Sequence, residues 1–136
     1  MGEITKFEDI EAWQDARQLS KGIYNMTSEL KDFSLKEQMR RATVSVMANI
    51  AEGYARRGNK EFVQFMFISK ASCAELQSHL YLALDLNYIS KEIFEPLYEQ
   101  LDKIQRKLSS FINLLRNNAI NAVRSGGYKC QKHLIL

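Results

Sequence analysis

The chain has 136 residues and a formal net charge of +3, from 19 Lys and Arg against 16 Asp and Glu. This length suits one domain with its own core, and the 46% hydrophobic and 26% charged fractions exclude intrinsic disorder, a collagen-like repeat and a disulfide scaffold. One proline and six glycines are too few for a β fold with many turns. The composition therefore predicts a few long helices.

The cysteine pattern and the N-terminal segment predict a cytoplasmic protein. Cys73 and Cys130 are far apart and lack metal-binding spacing, which favours reduced thiols. Residues 1–9 are acidic and lack the apolar core of a signal peptide. No apolar run approaches the roughly 20 residues that cross a bilayer, so we expect no membrane partner.

The first two predicted helices are amphipathic and well delimited. The first runs from about Glu8 to Leu30, with its apolar residues on one arc at 3.6 residues per turn. Ser34 and Glu37 have the spacing of a capping box, in which each side chain accepts from the backbone amide of the other residue. They predict the start of the second helix, which runs to about Arg57.

A tight connection leads to the third helix. Gly58 is predicted to take the left-handed C-cap conformation, and Asn59 is predicted to be the next N-cap. The third helix runs to about Leu86, and its apolar residues alternate steps of four and three, the spacing of a bundle seam.

The fourth helix completes the predicted fold. Ser90 is its predicted N-cap, and Pro96 is tolerated only in the first turn, which moves the start towards Glu92. Short connections favour antiparallel neighbours, so residues 1–118 are predicted to form an all-α, antiparallel up-down-up-down four-helix bundle. Residues 119–136 form a basic C-terminal tail that is predicted to be disordered or extended, with swapping onto a neighbouring subunit or membrane contact as alternatives.

The second helix carries an unusual surface pattern. One polar stripe comprises Arg41, Ser45, Asn49, Glu52 and Arg56, with a possible Glu52–Arg56 pair at i+4. The rest of the helix is apolar or small, which is typical of a helix that contacts protein on two sides. One side is the core, and the other is a predicted oligomer interface formed by Val44, Ala48, Ala51, Glu52 and Tyr54. The stripe itself is open to three interpretations: a solvated face, a polar network at a subunit contact, or a nucleic-acid surface.

Basic residues are concentrated in one part of the chain. Residues 31–60 have seven bases and three acids, and residues 119–136 have three bases and no acid. Arginine suits bidentate contact with phosphate. The candidate nucleic-acid-binding residues are Arg40, Arg41, Arg56, Arg57 and Lys60. Arg40 and Arg41 point in different directions on the helical wheel, so one subunit is not expected to have a continuous basic patch. An assembly that repeats these weak phosphate sites would let them act together.

Three segments resemble a known bacterial family. They are FEDIEAWQDA at residues 7–16, LKEQMRRATVSVMANIAEG at residues 35–53 and KEF at residues 60–62. They are similar to the small proteins encoded in intervening sequences of 23S rRNA genes, also called S23 ribosomal proteins. The accessory variability protein of diversity-generating retroelements looks like a relative. The resemblance covers roughly residues 7–118 and leaves the basic tail outside.

The resemblance implies a four-helix bundle that assembles into a ring, commonly a homopentamer. For the retroelement relative, it also implies a basic surface that engages nucleic acid and a reverse transcriptase. No enzymatic activity is implied for the members encoded in rRNA genes.

Catalytic and metal chemistry have little support in the sequence. His79 lies in an apolar stripe, which favours a satisfied or partly exposed core histidine, and Cys73 lies on the core seam as a small hydrophobe. Neither Ser45 nor Ser72 has a suitably spaced histidine and acid, and no metal-ligand spacing is present. We therefore predict no catalytic residue, cofactor, metal or small-molecule substrate.

Two hypotheses follow from the sequence. The first is a non-enzymatic, homo-oligomeric accessory protein that binds RNA or DNA electrostatically, with or without a reverse transcriptase. The second is a protein-interaction scaffold with no nucleic-acid role. An enzyme ranks third.

Overall fold

The computed structural model describes residues 3–124 and 134–135, with side chains for residues 3–118. The elements in chain order are strand β1 (Glu3–Ile4), a 3-10 helix (Phe7–Asp9), helices α1 (Glu11–Thr27), α2 (Phe33–Tyr54), α3 (Asn59–Asp85) and α4 (Lys91–Arg124), and strand β2 (Leu134–Ile135). Each helix packs against its neighbours in sequence, and α1 closes the bundle against α4. The predicted all-α four-helix bundle is confirmed.

The core follows the predicted apolar seams. The fully buried apolar side chains of α3 and α4 are Met66, Cys73, Leu76, Leu80, Ala83, Leu101, Ile104, Leu108 and Leu115. Burial raises the pKa of the Cys73 thiol to about 12. The prediction of Cys73 as a small buried hydrophobe is confirmed.

The first predicted helix is interrupted near its start. Residues 7–9 form a 3-10 helix, Ile10 is extended and buried, and α1 begins only at Glu11. The Asp9 carboxylate accepts from the amide of Thr5 at 3.0 Å and from its hydroxyl at 3.2 Å. This local hydrogen bonding competes with helix formation, so the prediction of one continuous helix from Glu8 to Leu30 is wrong.

The N-cap of α2 lies at Asp32 rather than at the predicted Ser34. The Asp32 carboxylate accepts from the Leu35 amide at 3.1 Å, and the Tyr88 hydroxyl donates to its other oxygen at 3.1 Å. A carboxylate held at this position also complements the positive end of the helix dipole. Sequence spacing alone did not show that Tyr88, from the α3–α4 connection, holds the earlier cap in place.

The α3–α4 connection is a Schellman turn. Asn87 has φ 61°, its amide donates to Leu84, and the Tyr88 amide donates to the Ala83 carbonyl at 2.9 Å. The Ser90 hydroxyl then accepts from the amide of the third residue of α4 at 3.3 Å, which confirms Ser90 as the N-cap.

Pro96 lies deeper in α4 than predicted. The helix begins at Lys91, so Pro96 lies in its second turn and its missing amide leaves the Glu92 carbonyl without a helical donor. Glu92 and Pro96 are both exposed, so water can satisfy that carbonyl.

Helix α4 continues past the predicted domain boundary at residue 118. The segment AINAVR at residues 119–124 lacks a helix breaker and remains helical. Residues 134–135 form β2, which pairs antiparallel with β1, with Ile4 opposite Leu134. Residues 125–133 and 136 of the predicted tail lie outside the described residues.

Candidate nucleic-acid interface

The bases predicted at the end of the second helix lie on a tight turn at one end of the bundle. Since α2 ends at Tyr54, Arg56 and Arg57 belong to the turn and not to the helix. Gly58 is extended, with φ −121° and ψ 156°, and it is the N-cap of α3. The predictions of a left-handed Gly58 and of Asn59 as the N-cap are therefore wrong.

Asn59 anchors this turn to α4. It is the first residue of α3, it is buried, and its Nδ2 donates to the Leu115 carbonyl at 3.1 Å. A buried amide needs such a partner, so its side chain is engaged across the bundle and is not available for capping.

Arg56 and Arg57 lie on the turn and Lys60 is the second residue of α3, and we call these three bases the basic cluster. All three side chains are exposed, and residues 55–60 contain no acid. The Arg56 guanidinium lies over the ring of Phe65, with its Cζ 4.7 Å from the ring centroid. The predicted pair between Glu52 and Arg56 does not form within the described residues, because α2 ends before Arg56 and the helical i+4 spacing is lost.

Arg40 is occupied elsewhere. Its Nε donates to the Thr27 hydroxyl at 2.9 Å, and its Nη2 donates to the Tyr24 carbonyl at 3.1 Å. Its Cζ also lies 4.3 Å from the centroid of the Tyr24 ring. These contacts tie α2 to the end of α1.

Arg41 is exposed but lies far from the turn. It shares a shallow depression with Glu37 and Glu75, whose negative charge opposes phosphate binding. Fifteen residues separate it from Arg56, which is about 20 Å along a helix. The structure therefore groups the basic cluster and leaves Arg40 and Arg41 apart from it.

Most of the predicted oligomer interface lies on the outward surface of α2. Four of its residues share an arc of about 100°: Val44, Ala48, Ala51 and Glu52. Val44 is 42% exposed, and Ile68 on the neighbouring helix α3 is 48% exposed. Tyr54, by contrast, is half-buried and packs edge-on against Phe62 at 6.1 Å.

Part of the polar stripe joins a hydrogen-bond network between α2 and α3 of one chain. The hydroxyls of Ser45 and Ser72 are 2.7 Å apart, and Asn49 Nδ2 donates to the Ser45 hydroxyl at 2.9 Å. The Ser69 hydroxyl donates to the Val46 carbonyl at 2.7 Å. Two of the five stripe residues, Ser45 and Asn49, therefore belong to a polar network within the subunit, whereas Arg41, Glu52 and Arg56 are exposed.

A second group of cations, which the sequence pattern did not indicate, lies beside the basic cluster. Lys70 of α3 and Arg116 of α4 both approach the ring of Phe67, at 5.8 Å and 5.2 Å from its centroid. The signal available in the sequence is the complete absence of acids after Asp102.

His79 does not belong to a catalytic arrangement. It is half-buried, which agrees with the predicted partly exposed core histidine, and within the described residues its Nε2 has no hydrogen-bond partner. Among the residues that the structure describes, no three His, Cys, Asp or Glu side chains form a group suited to a metal ion. None of the described helices combines the length and apolarity needed to cross a membrane.

Comparison with known proteins identifies the family. The model of the 23S rRNA-intervening sequence protein family matches residues 8–110. The chain belongs to this family. The match includes α1, α2, α3 and the basic cluster, and it ends before Arg116. No curated protein is significantly similar to the chain.

A solved structure supports the fold. The chain is similar to a protein with unknown function from the S23 ribosomal protein family of Bacteroides thetaiotaomicron, with a TM-score of 0.71 and 24% sequence identity. The similarity covers 74% of this chain and 97% of the other. Neither the family nor this neighbour is described by an enzymatic activity.

Proposed function

We propose that this chain is a non-enzymatic, homo-oligomeric accessory protein that binds nucleic acid electrostatically. The observation that carries the proposal is the basic cluster, in which Arg56 and Arg57 of the turn and Lys60 at the start of α3 are exposed, with no acid in residues 55–60. Asn59 holds this turn to α4, so the three cations start from a fixed backbone. Arginine guanidinium groups suit bidentate contact with phosphate oxygens.

The position of the turn adds to its attraction for anions. It precedes the N-terminus of α3, where Gly58 offers no side-chain acceptor to the first helical amides. These amides and the helix dipole favour a nearby negative charge. Three cations give only weak affinity in one subunit, so the proposal includes an assembly that repeats them.

The proposed assembly uses the outward surface of α2. Val44 and Ile68 present exposed apolar area, and Ala48 and Ala51 allow close approach of a second backbone. The family resemblance supports a closed ring of five subunits, and the cysteine pattern supports a cytoplasmic location, as parts of the proposal. A reverse-transcriptase partner stays a prediction from the same resemblance.

Removal of two cluster arginines tests nucleic-acid binding. Arg56→Ala with Arg57→Ala is expected to weaken binding of mixed-sequence oligonucleotides at least tenfold at low salt, equally for all sequences. Fluorescence anisotropy measures the affinities. Arg41→Ala with Lys91→Ala removes the same charge from other surfaces and is expected to have a much smaller effect. Equal losses in the two double variants would contradict a role for the cluster.

A charge on the outward surface of α2 tests the assembly. Ala48→Glu is expected to dissociate the oligomer, because it places a carboxylate within an apolar contact. Light scattering is expected to give about five times the subunit mass of 15.8 kDa for the wild type and one subunit mass for the variant. Circular dichroism checks that the variant stays helical. A monomeric wild type at micromolar concentration would refute this part of the proposal.

The protein-interaction scaffold is the second candidate. The observation that favours it is the exposed apolar surface at Val44 and Ile68, which fits a protein partner without any nucleic acid. Under this candidate the wild-type chain assembles normally but binds no oligonucleotide at low salt.

A further inference from the structure

Phe67 lies on the surface between α3 and α4 with two cations at its ring. Its side chain is 43% exposed. Lys70 comes from the same helix, and Arg116 comes from α4. An exposed aromatic ring can stack on another flat ring, and cations beside it can bind an anion. The Phe67 surface therefore suits a ligand that carries both groups.

This ring belongs to a groove of about 480 Å³. Val63 and Leu115 are its buried apolar lining. The remaining lining residues are polar, aromatic or basic, and none is acidic: Asn59, Lys60, Gln64, Phe67 and Arg116. This volume is within the range of small-molecule sites, about 300–1,000 Å³.

Lys60 and Arg116 line the groove, Lys70 lies beside it at the Phe67 ring, and these cations are not neutralised. Within the described residues, Lys60, Lys70 and Arg116 form no ion pair with a carboxylate. By contrast, Lys107 on α4 pairs with two carboxylates of α1. The charge of the groove is therefore available to an anionic partner.

The groove is continuous with the basic cluster, because Lys60 belongs to both. We propose that the groove binds a single-stranded nucleic acid, with one base stacked on Phe67 and the neighbouring phosphates held by Lys60, Lys70 and Arg116. This inference rests on the proposed function and names its substrate class.

The geometry favours a single strand over a duplex. In a duplex the base faces are stacked on each other, and only the phosphates are free for the cluster. A single strand offers a base face to an aromatic side chain, and such stacking is tolerant of sequence. A base on Phe67 displaces one of the two cations, which is then free for the adjacent phosphate.

Phe67→Leu tests the inference, because leucine keeps apolar volume but lacks the aromatic face. It is expected to weaken binding of a mixed-sequence single strand about tenfold and to change binding of a blunt-ended duplex less than twofold. Single strands of RNA and of DNA are both measured, and the loss is expected with each strand that the wild type binds. Phe33→Leu is the matched control, since Phe33 is also exposed and has Lys36 at 5.8 Å, but it lies at the start of α2.

A second measurement locates the contact directly. A single strand containing bromouracil is expected to crosslink on irradiation to peptides that include Phe67, as identified by mass spectrometry. Crosslinks confined to other surfaces, or an unchanged single-strand affinity in Phe67→Leu, would overturn the inference while leaving the proposed function intact. If the wild type binds neither single strands nor duplexes, the proposed function fails as well.

Discussion

At the scale of single residues, similar cation–aromatic contacts occur in different surroundings. Arg40 lies over Tyr24 but also donates two hydrogen bonds to α1, so it is fixed within the subunit. Arg56 lies over Phe65 on an exposed turn. The contact limits the freedom of the Arg56 side chain and leaves the charge accessible. Charge at a surface position therefore does not by itself identify a binding residue.

Arg40→Ala is expected to destabilise the fold by about 1–2 kcal/mol, because it removes two charge-assisted hydrogen bonds and a cation–π contact. Urea unfolding measures the change. Arg41→Ala is the control on the same helix and is expected to change stability by less than about 0.5 kcal/mol. Equal effects in the two variants would show that the Arg40 contacts contribute little.

Lys107 joins α4 to α1 through two carboxylates, at 2.7 Å from Glu11 and 2.5 Å from Asp15. Partial burial acts to lower the pKa of Lys107, but the hydrogen bonds to Asp15 and Glu11 outweigh it and raise the pKa. The hydrogen bond from Lys107 lowers the pKa of Glu11 below its ordinary value of 4.5. The ionised Glu11 carboxylate therefore stabilises the folded state fully above pH 4.5, and this contribution to the free energy of unfolding is lost as the pH falls below that value.

Lys107→Met removes this linkage. The unfolding free energy of the wild type is expected to fall more steeply between about pH 5 and pH 3 than that of the variant. Lys103→Met serves as the control, and its unfolding free energy is expected to depend on pH almost as steeply as that of the wild type. Parallel curves for the wild type and Lys107→Met would contradict the assigned linkage.

At the scale of elements, helical periodicity predicted all four helices, but the ends depended on distant partners. Ser90 has only a local role, and its cap was predictable. Asp32 and Asn59 are held by Tyr88 and Leu115, each 56 residues away in the chain. A local sequence pattern contains no information on such partners, so both caps were misassigned.

Two glycines show how helix packing determines the effect of a glycine-to-alanine substitution on the stability of the fold. A Cβ on Gly53 of α2 would lie 2.8 Å from Phe65 Cβ and 2.9 Å from Phe62 Cδ1, whereas a Cβ on Gly22 of α1 would lie 3.6 Å from Leu97. The first contact is a clash with α3, since a Cβ is fixed to its backbone. The second is an ordinary van der Waals contact.

Gly53→Ala is therefore expected to destabilise the fold by about 1–3 kcal/mol, since overpacking outweighs the gain in helix propensity. Gly22→Ala is the matched control and is expected to stabilise by roughly 0.5–1 kcal/mol. Chemical denaturation followed by circular dichroism measures both. Stabilisation by both substitutions would mean that α2 and α3 are less closely packed than described.

At the scale of the whole molecule, charge location matters more than the net charge of +3. Sequence analysis placed Arg56, Arg57 and Lys60 together because they are close in sequence. It missed Lys70 and Arg116, which are far apart in sequence and meet at Phe67 only in the folded bundle. The spacing of residues in the sequence could therefore not predict the part of the candidate site that is shared by α3 and α4.

The salt dependence of nucleic-acid binding is the decisive measurement for electrostatic binding at the α2–α3 turn. The dissociation constant of the wild type for a single-stranded oligonucleotide is compared with that of Arg56→Ala/Arg57→Ala at salt concentrations from about 50 to 200 mM. We predict a steep loss of affinity with salt in the wild type, and a slope of log affinity against log salt that is shallower by roughly 1.4 in the variant. A wild-type affinity independent of salt, or identical slopes for the two proteins, would contradict electrostatic binding at the α2–α3 turn.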